Sequence, residues 1–251
     1  MSTEVDLWES YGPLFCFEER DVFTPDLAEL AFYKSIRKDH PGVCLELGAG
    51  DGRLTRHLTA DGVTVGLEPA SAMLGQWPRD RSEDAVPVRA VAQRPPFRRG
   101  SVDLVLFPYN GLHCILDRKE RLTVLEEAAV LLRPGGVLVA ETCPQFHERP
   151  DEAEKVRYSY SRDGKSLRLL ESVSHDRTVG RIFFDMVYTG SIVSGGRAEL
   201  RLELALISAG ELLEDIRCSG MNVFCVWGDF DLSPWDGETS PRLLVMAGRN
   251  I

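Results

Sequence analysis

Three glycines stand at every second position in "LELGAGDGR", residues 45 to 53: Gly48, Gly50 and Gly52. A carboxylate, Glu46, precedes them, and a second, Glu68, closes the next apolar run, "VTVGLE". A glycine turn between a strand and a following helix lets a ligand approach the backbone closely. Two adenosine-bearing ligand classes use such a turn. A dinucleotide lays its pyrophosphate there, with the spacing GxGxxG, whose third glycine permits tight helix–strand packing. Here the spacing is GxGxG and position 53 is an arginine, which would crowd that packing. Glu46 would also face anionic phosphates. S-adenosylmethionine has no phosphate and carries an ammonium and a sulfonium, so Glu46 attracts it. Glu68 suits both classes, because a carboxylate ending a second strand can accept from ribose hydroxyls. Turn and acids together favour the sulfonium ligand.

Such residues need strands and helices to hold them. Leu27, Leu30, Ala31 and Ile36 recur at helical spacing over 25–38, with Pro25 as a start signal. A strand over 43–47 runs into the glycine turn, followed by a helix that Gly62 stops. Strands are expected over 63–68, 86–91 and 102–107, with a helix over 70–77 between the first two. An amphipathic helix over 118–132 is broken by Pro134-Gly135-Gly136, and a strand over 137–142 follows. Nearly continuous apolar strands alternating with helices imply a parallel sheet covered on both faces. After about Cys143 the period becomes two, with turns at Asp163-Gly164 and Gly195-Gly196, which predicts an antiparallel insertion. The earlier rhythm returns with a helix over 208–220 and strands over 221–228 and 241–248.

The 251 residues carry a formal net charge of -10, which argues against a nucleic-acid partner. No apolar run approaches ~20 residues, so no membrane span is expected. Cys16, Cys44, Cys114, Cys143, Cys218 and Cys225 form no CxxC pair, which reads as free thiols in a reducing compartment. With an acidic, polar start, "MSTEVDLWES", the expectation is a cytoplasmic protein. Neither a cysteine cluster nor a His/carboxylate cluster is visible, and metal-independent chemistry is expected.

The segment "VCLELGAGDGRLTRHLTADGVTVGLEPASAML" resembles the first motifs of class I S-adenosylmethionine-dependent methyltransferases. "PPFRRGSVDLVL" and "LLRPGGVLVAE" resemble two later motifs of that family. "ELAFYKSI" and the tail "GDFDLSPWDGETSPRLLVMAG" are similar to bacterial members that act on small molecules such as amino acids, sugars or natural products. The resemblance implies an α/β, Rossmann-like fold with a seven-stranded mixed sheet, helices on both faces and the antiparallel β insertion. Its division would be a lid segment (1–24), a cofactor domain (25–143 and 208–251) and the insertion (144–207), used as a cap or a dimer face. By position, Gly48, Ala49 and Gly50 would contact the methionine moiety through their backbone, with Glu46 near the ammonium. Glu68 and Pro69 would meet the ribose, Met73 would pack on adenine or simply belong to the core, and Ala92 and Gln93 would line the adenine edge. Phe107 would offer its backbone carbonyl to the cofactor. Val91 stands where the family often has aspartate.

On the acceptor side, Tyr11 and Phe15 lie in the lid segment, where they either face the methyl donor or pin the N-terminus to the core. Tyr33 is a weaker candidate of the same kind. "FPYNGLHCI" (107–115) ends the fourth strand, where open α/β sheets place ligands. Tyr109 and Asn110 are candidates for substrate contact there. His113 is a candidate general base, its alternative being a structural histidine. The Pro108-Tyr109 pair lacks the rest of an NPPY motif, so that analogy fails. The implied reaction is methyl transfer from S-adenosylmethionine to an amine or hydroxyl of a small molecule in secondary metabolism. A protein methyltransferase, an NAD-dependent oxidoreductase and a non-catalytic subunit are the alternatives.

Overall fold

The computed structural model describes residues 3–24 and 26–249; the start signal assigned to Pro25 lies outside them. The N-terminal segment forms α1 (Thr3–Phe17) and a π-turn (Glu18–Val22), and α2 (Leu27–Asp39) follows. Next come β1 (Cys44–Leu47), β2 (Thr64–Glu68), the single-turn α3 (Ser71–Leu74), β3 (Ala85–Arg89), β4 (Val102–Phe107), α4 (Arg118–Leu131) and β5 (Leu132–Thr142). Four long strands follow: β6 (Glu152–Arg162), β7 (Lys165–Asp176), β8 (Arg181–Thr189) and β9 (Arg197–Ala205). The chain then returns through α5 (Ala209–Cys218), β10 (Asn222–Trp227) and β11 (Leu243–Gly248).

Seven strands make one sheet in the order β10-β11-β5-β4-β1-β2-β3. The five strands β1 to β5 are parallel, whereas β11 runs antiparallel to β5 and β10 antiparallel to β11. The apolar runs read as buried strands divide their side chains by a period of two. Leu45, Leu47, Val105, Phe107, Leu138 and Ala140 join a core with α4 and α5, contributed by Val124, Leu125, Leu212 and Ile216. Their alternates Cys44, Leu104, Leu106, Val137 and Val139 meet Phe32, Tyr33 and Ile36 of α2 on the other face. Side-chain caps start each of these helices: Asp26 on α2, Asp117 on α4, and a Ser208–Glu211 capping box on α5.

The helix expected after the glycine turn is instead irregular, with only a 3₁₀ turn at Thr55–His57. Gly52 sits at φ 76°, outside helical space, and the Thr55 hydroxyl is committed to Glu46. Both withdraw the segment from a regular ladder. The helix expected over 70–77 shortens to α3. The period-two segment forms its own antiparallel sheet, ordered β6-β7-β8-β9. Its inner face, with Leu167, Leu169, Val173, Phe184, Met186 and Tyr188, packs on Tyr11, Leu14 and Phe17 of α1. That covering helix, unpredicted as a helix, closes the apolar face an isolated sheet would otherwise expose. Among the described residues no helix is long and apolar enough to cross a membrane.

Candidate active site

A cavity of about 480 Å³ lies between the C-terminal ends of β1, β2 and β4, the helix α1 and the inner face of the second sheet. Such positions outside the carboxyl ends of parallel strands are where open α/β sheets bind ligands. One half is built by the glycine turn. Gly48, Gly50 and Gly52 take φ of 68°, 58° and 76°, a region a side chain enters only at a cost. The turn's amides face inward: Gly48 and Ala49 donate to the Leu67 carbonyl (2.9 and 3.1 Å), and Gly50 to Glu68 Oε2 (3.0 Å). Gly52 donates to Ala49 (2.9 Å) and Arg53 to Asp51 Oδ1 (3.0 Å). A pyrophosphate needs those donors free, so this turn is no phosphate cradle. The nearby carboxylates are those of Glu46, Asp51 and Glu68, and the neighbouring guanidinium, Arg53, is tied to Glu29. That set fits an ammonium, a sulfonium and the donor hydroxyls of a ribose, as S-adenosylmethionine carries. The dinucleotide alternative lacks its donors.

Glu68 is buried with both oxygens used, Oε2 by Gly50 and Oε1 by the Ala70 amide at 2.8 Å, and each oxygen keeps a lone pair. Burial holds its carboxyl above the ordinary range. Trp77 props the turn from below. Its indole donates to the Gly50 carbonyl (2.7 Å), and a Cβ on Gly52 would come within 2.7 Å of its ring. Pro69, Met73, Ala92, Gln93 and Phe107 also line the cavity.

Glu46 is buried beneath the turn, accepts the Thr55 hydroxyl, and has its carboxyl pushed by burial up to about 7. Its ionised form, favoured above that pH, is the one that pairs with an ammonium. S-adenosylmethionine affinity is therefore expected to fall as pH drops through 7, by about fivefold for the first full unit below it. Glu46→Gln flattens that limb. Stability moves oppositely: a raised carboxylate pKa means the native state binds more protons than the unfolded one between 4.5 and about 7, so ionisation costs stability as pH rises. Calorimetric titrations and melting curves at pH 6 and pH 8 check both signs, with Glu46→Gln melting higher at pH 8.

The other half is walled by aromatic rings and acids. Trp8, Tyr11, Phe15 and Phe23 come from the N-terminal segment, Tyr109 from the β4 loop, and Phe146, Phe184 and Tyr188 from the insertion side. Trp8 stacks on Tyr11 (5.4 Å between centroids), and Phe15 meets Tyr109 edge-on (6.0 Å). Tyr109 and Asn110 both hold left-handed backbone, φ 53° and 60°, and such strain in non-glycine residues clusters at functional sites. The Tyr109 amide donates to Glu141 Oε2 (2.9 Å), which fixes that conformation. Asn110 Oδ1 is buried beside the cavity with no partner among the described residues. The Tyr109 hydroxyl donates to Glu19 (2.8 Å), whose neighbour Arg53 covers the Tyr109 ring and clasps Glu29 through two bonds (2.5 and 2.7 Å). Burial pushes the phenols of Tyr11 and Tyr109 upward, so both stand as hydrogen-bond donors and not as bases.

Two candidates are corrected. His113 is fully buried and off the cavity wall; Nδ1 bonds the Ala205 carbonyl (2.7 Å), and Nε2 accepts from the Cys143 amide (3.1 Å). Burial depresses its pKa to about 4. With both nitrogens engaged it ties the β4 loop to β9 and to the end of β5, and takes no substrate proton. Tyr33 is likewise fully buried in the α2 core, donating to Glu141 (3.1 Å), away from the cavity. The N-terminal Glu18 and Glu19, Arg53, and Arg149 and Glu171 around the insertion were not read from the sequence as cavity residues. The only local signal for the first pair is their position directly after the aromatic run "LFCF".

Residues 45–140 match a family model described as "Methyltransferase domain". Among curated proteins none matches the sequence at a significant level. Solved structures resemble the chain over nearly its whole length. The CcbJ methyltransferase from Streptomyces caelestis is 20% identical, with TM-score 0.78, covering 96% of this chain and 98% of its own. The sugar N-methyltransferase KedS8 from Streptoalloteichus is 18% identical, with TM-score 0.74 and coverage of 96% and 93%. CalS10 from Micromonospora echinaspora, an amino pentose methyltransferase solved with S-adenosylmethionine bound, is 19% identical, with TM-score 0.70 and coverage of 93% and 95%. Residues 45–140 thus match the methyltransferase-domain model, within a chain that shares the fold of solved methyltransferases over nearly its whole length.

Proposed function

We propose that the protein methylates an amine on a small molecule, such as an amino sugar or another natural product of secondary metabolism, with S-adenosylmethionine as donor. The observation that carries this reading is the wall of the acceptor half, where Glu18, Glu19 and Glu171 stand among ring faces. Carboxylates and aromatic faces both attract cations, and an amine arrives as one. A hydroxyl acceptor would need a general base near neutrality, and His113 is not available. The descriptions of KedS8 as a sugar N-methyltransferase and of CalS10 as an amino pentose methyltransferase support the same substrate class.

The cofactor supplies a methyl group already activated by a positive sulfur, open to in-line displacement. What remains for the chain is alignment and exclusion of water. Glu46 and Glu68 anchor the two ends of the donor. Tyr11, Phe15, Tyr109 and Tyr188 exclude water, and the unpartnered Asn110 Oδ1 accepts from an N–H of the acceptor. Helix α1 roofs the cavity, which favours a small molecule over a protein chain.

Radiolabelled methyl transfer to matched amino and hydroxy sugars, with a protein substrate in parallel, tests this reading. Label is expected on nitrogen alone. Label on the hydroxy sugars, or on protein only, would overturn it.

A further inference from the structure

An amine that binds as an ammonium must lose a proton before its lone pair can attack, and neither His113 nor the cavity's tyrosines can take it. Glu18 is the group placed to do so. It opens the π-turn that follows α1, is 2% exposed, and lines the cavity. Three phenols converge on its carboxylate. Tyr11 of α1 donates to Oε2 (2.9 Å), while Tyr188 of β8 (2.9 Å) and Tyr158 of β6 (2.5 Å) donate to Oε1.

The charge balance at this point is incomplete. The other acids of the acceptor half have cations: Glu19 lies 3.8 Å from Arg53, and Glu171 binds Arg157 (2.8 Å) and Arg149 (3.5 Å). Among the described residues no lysine, arginine or histidine lies within ion-pair reach of Glu18. Hydroxyls lower the cost of burying a carboxylate but leave its charge uncompensated. The titratable neighbours are Tyr11 and Glu19 on its own segment, Tyr158 on β6 and Tyr188 on β8, with Glu171 of β7 beyond Tyr188. None is cationic. Burial raises the Glu18 carboxyl and drives the three phenols up, so the phenols keep their protons while the carboxylate is the readiest acceptor.

We propose that Glu18 binds the acceptor's ammonium and takes its proton, and so selects an amine over a hydroxyl. The inference rests on the amine reading above. In the step, one N–H bond of the ammonium breaks and its electron pair stays on nitrogen as the lone pair. The proton goes to Glu18 Oε2, which becomes a neutral carboxylic acid and returns the proton to water after product leaves. Tyr11, Tyr158 and Tyr188 hold the carboxylate in place through their hydroxyls. Because Tyr11 and Glu18 come from the N-terminal segment and Tyr158 and Tyr188 from the insertion, the anchor exists only where these two parts meet.

The test compares two ring-shaped probes, cyclohexylammonium and its neutral counterpart cyclohexanol, with S-adenosylhomocysteine present. Binding is measured by ligand-observed NMR near neutral pH. The wild type is expected to bind the ammonium at least about tenfold more tightly, as a charge-assisted contact implies. Glu18→Gln should bring the two probes level, with S-adenosylhomocysteine affinity unchanged and a melting temperature no lower, since it removes an unpaired buried charge. A preference that survives Glu18→Gln, or its absence in the wild type, overturns the assignment. If Glu18→Gln fails to fold, Glu18→Asp withdraws the charge by one methylene and should cut the preference by about threefold or more; an unchanged preference overturns the assignment equally. The two readings fail separately. Methyl label on hydroxyls sinks the amine reading, whereas label on nitrogen with a preference indifferent to Glu18 sinks only this one.

Discussion

Glu68→Ala is expected to weaken S-adenosylmethionine binding by about a hundredfold or more, since charge-assisted hydrogen bonds contribute about 1.5–3 kcal/mol each and a ribose offers two hydroxyls. The carboxylate has a second task in the free protein, where it accepts the Gly50 and Ala70 amides and so shapes both the glycine turn and the start of α3. Truncation orphans those amides at a cost of about 1–3 kcal/mol each if water does not reach them. The variant should therefore melt lower as well as bind worse. Glu68→Gln separates the two tasks. Its carbonyl accepts one amide, but its NH₂ opposes the other donor, so binding drops less than in the alanine variant. Calorimetric titration with S-adenosylmethionine and parallel melting curves read both effects. Binding within threefold of the wild type in Glu68→Ala would exclude Glu68 as a ribose anchor.

Trp77→Ala carries the second large expectation. The indole is buried against Ala49 and Ala85, supports Gly52, and holds the Gly50 carbonyl at 2.7 Å. Removing a buried tryptophan costs about 3–5 kcal/mol, a large share of the roughly 5–15 kcal/mol that holds a domain folded. The void would sit directly under the turn, so donor affinity should fall by about tenfold or more in the protein that remains folded. Trp77→Phe fills most of the space without the N–H. It is expected to recover most of the stability but only part of the affinity, which apportions packing against the hydrogen bond. Equal recovery of both would mean that the Gly50 contact contributes nothing to binding.

The cofactor half was legible because its parts lie close together in the chain. Glu46, Gly48, Ala49 and Gly50 sit on one turn, and Glu68 ends the adjacent strand, with Glu46 paired to Gly66 in a parallel register. Spacing alone brings such residues together. The acceptor half was only partly legible. Tyr11, Phe15, Tyr109 and Asn110 reach the cavity, whereas His113 and Tyr33 turn into the core. Both of the latter sit where a single turn of the backbone decides between cavity and interior. That choice is made by distant partners, the Ala205 carbonyl 92 residues from His113 and Glu141 108 residues from Tyr33. The N-terminal helix was missed because it buries two sides, Tyr11, Leu14 and Phe17 on the second sheet and Cys16 on Ala70 and Met73, which blurs a single apolar stripe, and Pro13 stands within it.

What the sequence determined by itself was the scaffold and the donor class. Nearly continuous apolar strands alternating with amphipathic helices leave few arrangements other than a parallel sheet covered on both faces. Alternating glycines flanked by carboxylates leave few ligands that suit the turn. What only the tertiary structure decided was the acceptor half and its charge balance. Glu18 and Tyr188 are 170 residues apart, and nothing near either in the chain marks it as the other's partner. They meet because the insertion must bury one apolar face and α1 supplies the matching one. The physical reason is the range of the forces: backbone geometry and periodicity act over a few residues, whereas the pairing of a buried charge is settled by whichever donors the folded chain brings to it.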